Sequence, residues 1–160
     1  MRKKQVVVIG SSALTGHDSS AYELGRFIAR SGWILVSGGR SGIMESASRG
    51  ASEEGGIVIG ILPFDTFEGA NPFCTAVIPT GIGFARNSIN VLAGDVVVAM
   101  GGQWGTLSEI AYAMQYRKPL VCCTFTGGWA ESIAGLPVAP GIHRAESLEA
   151  AFSLISALLS

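Results

Sequence analysis

Apolar residues occur along this chain in short solid runs, separated by segments of helical period. Runs of strand length fall at Gln5–Gly10, Ile34–Ser37, Ile57–Ile61, Thr75–Ile78, Val96–Met100 and Leu120–Cys123, with a short one near Val138–Ala139. Most are β-branched and apolar throughout instead of alternating. That marks strands covered on both faces, and therefore a parallel sheet flanked by helices. The intervening segments carry helix punctuation. Asp18-Ser19-Ser20 can cap a helix with the stripe Ala21, Leu24 and Ile28, and Gly32 stops it. A last helix from about Ser147 repeats Leu148, Ala151, Phe152, Ile155 and Leu159 at helical spacing. The segment Leu62–Pro72, with Pro63, Gly69 and Pro72, reads as a surface loop. The alternation predicts an α/β fold, Rossmann-like and doubly wound, with a mainly parallel sheet and helices on both faces. With no repeat or linker in view, residues 1–160 are expected to form one ligand-binding domain.

Composition changes the picture in three ways. Only 14% of residues are charged, against roughly 25% in an average soluble domain, and mean hydropathy is +0.42. Such a surface predicts a homo-oligomer with helices buried between copies; an unusually apolar monomer is the alternative. Net charge is −1, which excludes a basic field for nucleic acid. Lysine stands only at positions 3, 4 and 118, so most positive charge is arginine, suited to forked contacts with phosphate. The run Val6–Gly10 after Arg2-Lys3-Lys4 is too short for a signal peptide, and no apolar stretch approaches the ~20 residues that span a bilayer. Cys74, Cys122 and Cys123 lack a CxxC spacing and read as reduced thiols, with Cys122 and Cys123 on opposite faces of a strand. These features predict a cytoplasmic protein. His17 and His143 lack metal-ligand spacing, so no metal site is expected.

Glycine, at 22 residues, is the loudest feature, and several glycines fall just after predicted strands. An open α/β sheet places its ligand crevice there. Gly10-Ser11-Ser12 offers small residues and hydroxyls to a phosphate, or is a plain strand-to-helix turn. Gly38-Gly39-Arg40-Ser41-Gly42-Ile43-Met44 lets the backbone approach a ligand ahead of a helix N-terminus; the plain alternative is a tight turn with Ser41 as N-cap and Arg40 in solvent. Arg86 and Asn87 begin a helix running to about Ala93. A cation there opposes the helix dipole, so Arg86 is expected to face an anionic ligand or else to lie on the surface. Gly101-Gly102-Gln103-Trp104-Gly105-Thr106-Leu107-Ser108-Glu109 is a glycine loop opening a helix, able to form an anion nest with the Thr106 hydroxyl. The same Thr106-x-x-Glu109 spacing is a capping box, which needs no ligand but leaves Gly101-Gly102 unexplained. No GxGxxG, Gly-Lys-Ser/Thr or nucleophile elbow is present.

The run Gly-Gly-x-x-Gly-Thr-x-x-Glu at 101–109, with Arg86 and Asp95 before it, resembles the Lonely Guy / lysine-decarboxylase-like superfamily and its Pro-Gly-Gly-x-Gly-Thr-x-x-Glu signature. Ala85-Arg86-Asn87, Asn90-Val91 and Gly105-Thr106-Leu107-Ser108-Glu109 are similar to the branch of molybdenum cofactor carrier proteins and Rossmann-fold nucleotide-binding proteins. The resemblance implies a phosphate cradle at Gly102–Thr106, and a homodimer or homotetramer. In the Lonely Guy enzymes, which hydrolyse nucleoside 5′-monophosphates to base and ribose 5-phosphate, it makes Arg86 and Glu109 the catalytic pair. Here Met100 replaces the signature proline, Asn87 replaces a lysine and Ser108 replaces an acid. Those departures favour the carrier branch.

The sequence therefore predicts a binding or storage protein for a phosphate-bearing small molecule, either molybdenum cofactor or a nucleotide, with no cofactor required. The rival is a nucleoside 5′-monophosphate phosphoribohydrolase. A third reading is a nucleotide-sensing module. The expected ligand contacts are Gly10, Ser11, Ser12, Gly38, Gly39, Arg40, Met44, Arg86, Asn87, Gly101, Gly102, Gly105, Thr106 and Glu109, with neither nucleic acid nor membrane as a partner.

Overall fold

The structure is a computed structural model that describes residues 1–137 and 141–160. The elements run β1 (Gln5–Gly10), α1 (Asp18–Arg30), β2 (Ile34–Ser37), α2 (Ile43–Glu53), β3 (Val58–Leu62), β4 (Ala76–Pro79), α3 (Arg86–Leu92), β5 (Val96–Met100), α4 (Trp104–Gln115), β6 (Leu120–Cys123), α5 (Gly128–Ala134), β7 (Ile142–Ala145) and α6 (Leu148–Leu159). The strands form one seven-stranded sheet in the order β4-β3-β2-β1-β5-β6-β7, and every neighbouring pair is parallel. This is the Rossmann-like, doubly wound architecture that the solid apolar runs predict. The expected strand near Val138–Ala139 lies outside the described residues.

Strand alternation divides the core between two faces. Val6 and Val8 of β1 pack with Ala21, Leu24 and Ile28 of α1, Ala47 of α2 and Ile155 of α6. Val7 and Ile9 pack on the other face with Val91 of α3, Ile110 and Ala113 of α4 and Ala130 of α5. Each fully buried Val or Ile contributes about 1.5–3 kcal/mol of transfer free energy. Cys122 and Cys123 fall on opposite faces, as their adjacency requires, and both are free thiols. Burial pushes each of them up to about 12.

Two expected helix signals come out differently. Asp18 does not cap α1; it is already helical, and its Oδ2 accepts the Thr15 N–H at 3.0 Å, while His17 holds the cap position without a side-chain bond. Ser41 does not cap α2 either. Its hydroxyl donates to the Ser12 carbonyl at 2.7 Å, and Gly42 takes the cap position at φ 68. A Cβ on Gly42 would also overlap the Ser11 carbonyl, and the Ile43 N–H donates to that same carbonyl at 3.0 Å. Both contacts lash the start of α2 to the end of β1. By contrast, Gly32 does end α1, at φ 76 with its N–H on the Ala29 carbonyl, and Ser147 caps α6 through the Ala150 N–H. No helix among the described residues is long and apolar enough to cross a membrane.

Helices α1 and α2 touch backbone to backbone. A Cβ on Gly25 would overlap the Ala47 carbonyl, and one on Gly50 the Tyr22 carbonyl. This contact sets how closely the two helices pack. Replacing Gly25 with Ala is expected to lower the unfolding free energy by about 1–3 kcal/mol, the usual cost of overpacking, measured by urea denaturation. Unchanged stability would mean that the two helices do not touch there.

Candidate functional site

From β1 the chain builds outward through β2, β3 and β4, then returns to add β5, β6 and β7 on the other side. The loops after β1 and β5 therefore lead to α1 and α4 on opposite faces of the sheet, and a crevice opens between them at the carboxyl ends of the strands. The cleft there is lined by Gly10, Ser11 and Ser12 after β1, Arg40 and Met44 around the start of α2, Phe84, Arg86 and Asn87 around the start of α3, and Gln103, Trp104, Gly105, Thr106 and Glu109 of α4 and its cap.

Four of the predicted glycines stand elsewhere. The Gly38 carbonyl accepts from Arg86 Nη1, and Gly39 lies against Gly60 Cα. The Gly101 N–H donates to Thr126 Oγ1 at 2.7 Å, and its carbonyl accepts from Ala130. The Gly102 carbonyl accepts from Trp129, and the Thr106 side chain fills the space a Gly102 Cβ would need. These glycines seat neighbouring elements and leave the cleft to others. Gly10 does both jobs: it lines the cleft, and a Cβ there would come within 2.6 Å of the Met100 carbonyl and 2.7 Å of Ile43 Cγ2.

The anion chemistry concentrates at the start of α4. Gln103 caps this helix without a side-chain bond. The N–H groups of Trp104, Gly105 and Thr106 precede the first intrahelical bond, which runs from Leu107 to Gln103. Gly105 is the informative residue. A Cβ there would meet only Asn87 Nδ2, at 3.9 Å, so nothing inside the chain demands glycine. Glycine in a helix costs up to about 1 kcal/mol relative to alanine; what it achieves here is bare backbone facing the cleft.

Below the amides lies a buried polar cluster. Arg86 Nη1 donates to the Gly38 carbonyl at 2.7 Å and the Ile61 carbonyl at 2.6 Å. Nη1 therefore ties the ends of β2 and β3 while the residue also lines the cleft, and its burial rules out the surface alternative. Burial lowers its pKa, with Glu109 opposing. Glu109 Oε1 accepts from Asn90 Nδ2 at 2.9 Å, so the capping box with Thr106 does not form; α4 starts three residues too early for it. Burial raises the Glu109 carboxyl to about 7, against the pull of Asn90 and Arg86. Arg86 Nε and Asn90 Oδ1 are buried without a hydrogen-bond partner. Asn87 Nδ2 donates to Ser108 Oγ at 3.0 Å, and that hydroxyl donates to the Gly105 carbonyl at 2.7 Å. Arg40 is exposed, its guanidinium 5.3 Å from the centroid of the Phe64 ring. Asp95, at the far end of β5, is held to about 2, chiefly by Arg2. The sequence reading left out Phe84, Gln103 and Trp104; the signal for Trp104 was a large apolar ring at a helix start with no core position to fill.

A parallel doubly wound sheet with a cleft at its switch point defines a Rossmann-like α/β class. Residues 3–152 match the SLOG cluster4 family, and the chain belongs to it. The Lonely Guy-like resemblance carried by residues 85–109 is thereby borne out. The molybdenum cofactor binding protein from the phototrophic bacterium Rippkaea orientalis is 37% identical with a TM-score of 0.90, over 100% of this chain and 99% of that one. The molybdenum cofactor carrier protein of Chlamydomonas reinhardtii is 38% identical with a TM-score of 0.87, over 98% and 99%. An uncharacterized protein of Archaeoglobus fulgidus is 39% identical over 119 residues, 74% of this chain and 78% of that protein. DNA processing protein A from Helicobacter pylori, at 19% identity and a TM-score of 0.71 over 96% and 80%, shares the fold alone.

Glu109 gives a pH signature. Its folded carboxyl, at about 7, holds a proton that the unfolded chain releases in the ordinary carboxylate range. Stability is therefore expected to fall as pH rises from about 4.5 through 7, by on the order of 3 kcal/mol, and then to level off. Urea denaturation between pH 5 and 8 should show this slope in the wild-type protein but not in Glu109→Gln. Parallel curves for the two proteins would contradict the assignment.

Proposed function

We propose that this chain binds and carries a phosphate-bearing small molecule in the β1–β5 cleft, with molybdenum cofactor as the favoured cargo and a nucleoside monophosphate as the alternative. One observation carries the reading: Gly105 keeps the free amides of α4 open to the cleft although no internal contact requires a glycine. Amides of this kind suit a phosphate, and Arg40 adds an exposed cation at the same cleft. Those residues fit the phosphate end of the pterin. Likeness along nearly the whole chain to a molybdenum cofactor binding protein and to a molybdenum cofactor carrier protein supports the choice of cargo.

The hydrolase reading draws on Glu109, whose carboxyl sits near neutrality beside Arg86, as an acid–base group requires. Against it, Arg86 is committed to two carbonyls and Asn87 stands where the enzymes place a cation. In either case residues 1–160 act as one unit, in the cytoplasm. Exposed Ile89 and Leu92 on α3 and Tyr116 after α4 support assembly with further copies of the chain.

Small molecules released by heating the purified protein are to be identified by mass spectrometry. A phosphorylated pterin is expected, and a nucleotide would select the alternative cargo. If nothing is released, and neither molybdenum cofactor nor AMP binds on titration, the proposal fails. Incubation with AMP is expected to yield no free base; release abolished by Glu109→Gln would establish the hydrolase instead. A separate test uses Gly105→Ala. It is expected to raise stability by up to about 1 kcal/mol while weakening phosphate-ligand binding at least several-fold. Unchanged binding would remove Gly105 from the site.

A further inference from the structure

The cleft carries two aromatic rings that its anion chemistry does not need. Phe84 is 91% exposed and Trp104 is 76% exposed, and both line the cleft. Isolated exposed apolar residues are ordinary on a protein surface, but these two line the same cleft as the free amides of α4. Trp104 is the first residue of α4, and its ring lies 5.8 Å from that of Trp129 at 48°. Phe84 sits in the 3-10 turn Gly83–Ala85, which runs directly into α3. Met44, nearly buried, brings a polarisable thioether to the same cleft.

We propose that Phe84 and Trp104 form a stacking rim that makes the site select a planar, fused heterocycle attached to the phosphate, in preference to a bare sugar phosphate. The inference rests on the reading of the cleft as a phosphate site, because a phosphate on the α4 amides leaves the rest of the ligand beside these rings. Aromatic faces exposed to water gain most from a partner that is flat, polarisable and of similar area. A purine and a pterin share that two-ring shape, so both serve as probes.

Calorimetric titration of the full chain with ribose 5-phosphate, GMP and neopterin monophosphate tests this, using wild type, Trp104→Ala and Trp104→Phe. Both ring-bearing probes are expected to bind the wild type roughly 10-fold more tightly than ribose 5-phosphate. Trp104→Ala should remove most of that advantage over ribose 5-phosphate, and Trp104→Phe should keep it. A preference between GMP and neopterin monophosphate would assign the ring as purine or pterin. Equal affinity for all three probes in the wild type would overturn the rim while leaving the phosphate site standing. Binding of none of the three would overturn both. If Trp104→Ala changes the sedimenting mass and not the probe preference, the rim is a contact between copies and the proposal is overturned.

Discussion

The loops leaving β1 and β5 turn to opposite faces of the sheet, and neither can cover the gap between them. In a parallel sheet this parting follows from the order in which strands are added, so the crevice is a product of topology before any side chain is considered. What the side chains decide is how close its walls stand. Gly10 lets β1 approach the Met100 carbonyl and Ile43, and Gly25 and Gly50 let α1 and α2 pack backbone to backbone. The Ile43 N–H on the Ser11 carbonyl then locks that wall to the sheet.

A second constraint is the buried guanidinium. Arg86 joins the ends of β2 and β3 to the first turn of α3, and through α3 it sets the positions of Asn87 and Asn90. Asn90 in turn holds Glu109, whose carboxyl stays near neutrality because water is excluded around it. The same few residues thus serve as cleft floor and as structural ties. Their chemistry follows from burial: a cation paired with carbonyls, a carboxyl with a raised pKa, and two polar atoms without partners.

Much of this was legible in the residues. β1, β2, β5 and β6 stand where the solid β-branched runs place them, because a strand covered on both faces must be apolar throughout. β7 was harder to find: Ile142-His143-Arg144-Ala145 is an edge strand with a half-buried His143 and an exposed Arg144, so it carries no such run. Glycines proved ambiguous in a specific way. The sequence shows that a Cβ is missing but not what occupies its space, so Gly101 and Gly102, which seat Thr106 and α5, look the same as Gly105, which faces open cleft. The Thr106–Glu109 spacing fits a capping box equally well as a site, and only the start of α4 at Trp104 separates the two.

The central claim is that the first amides of α4 are a phosphate socket kept open by Gly105. Amide chemical shifts of the 15N-labelled protein, followed while inorganic phosphate is added, test it most directly. The account predicts saturable shifts centred on Trp104, Gly105 and Thr106. Unmoved amides at these positions, with shifts confined to exposed basic residues elsewhere, would contradict it.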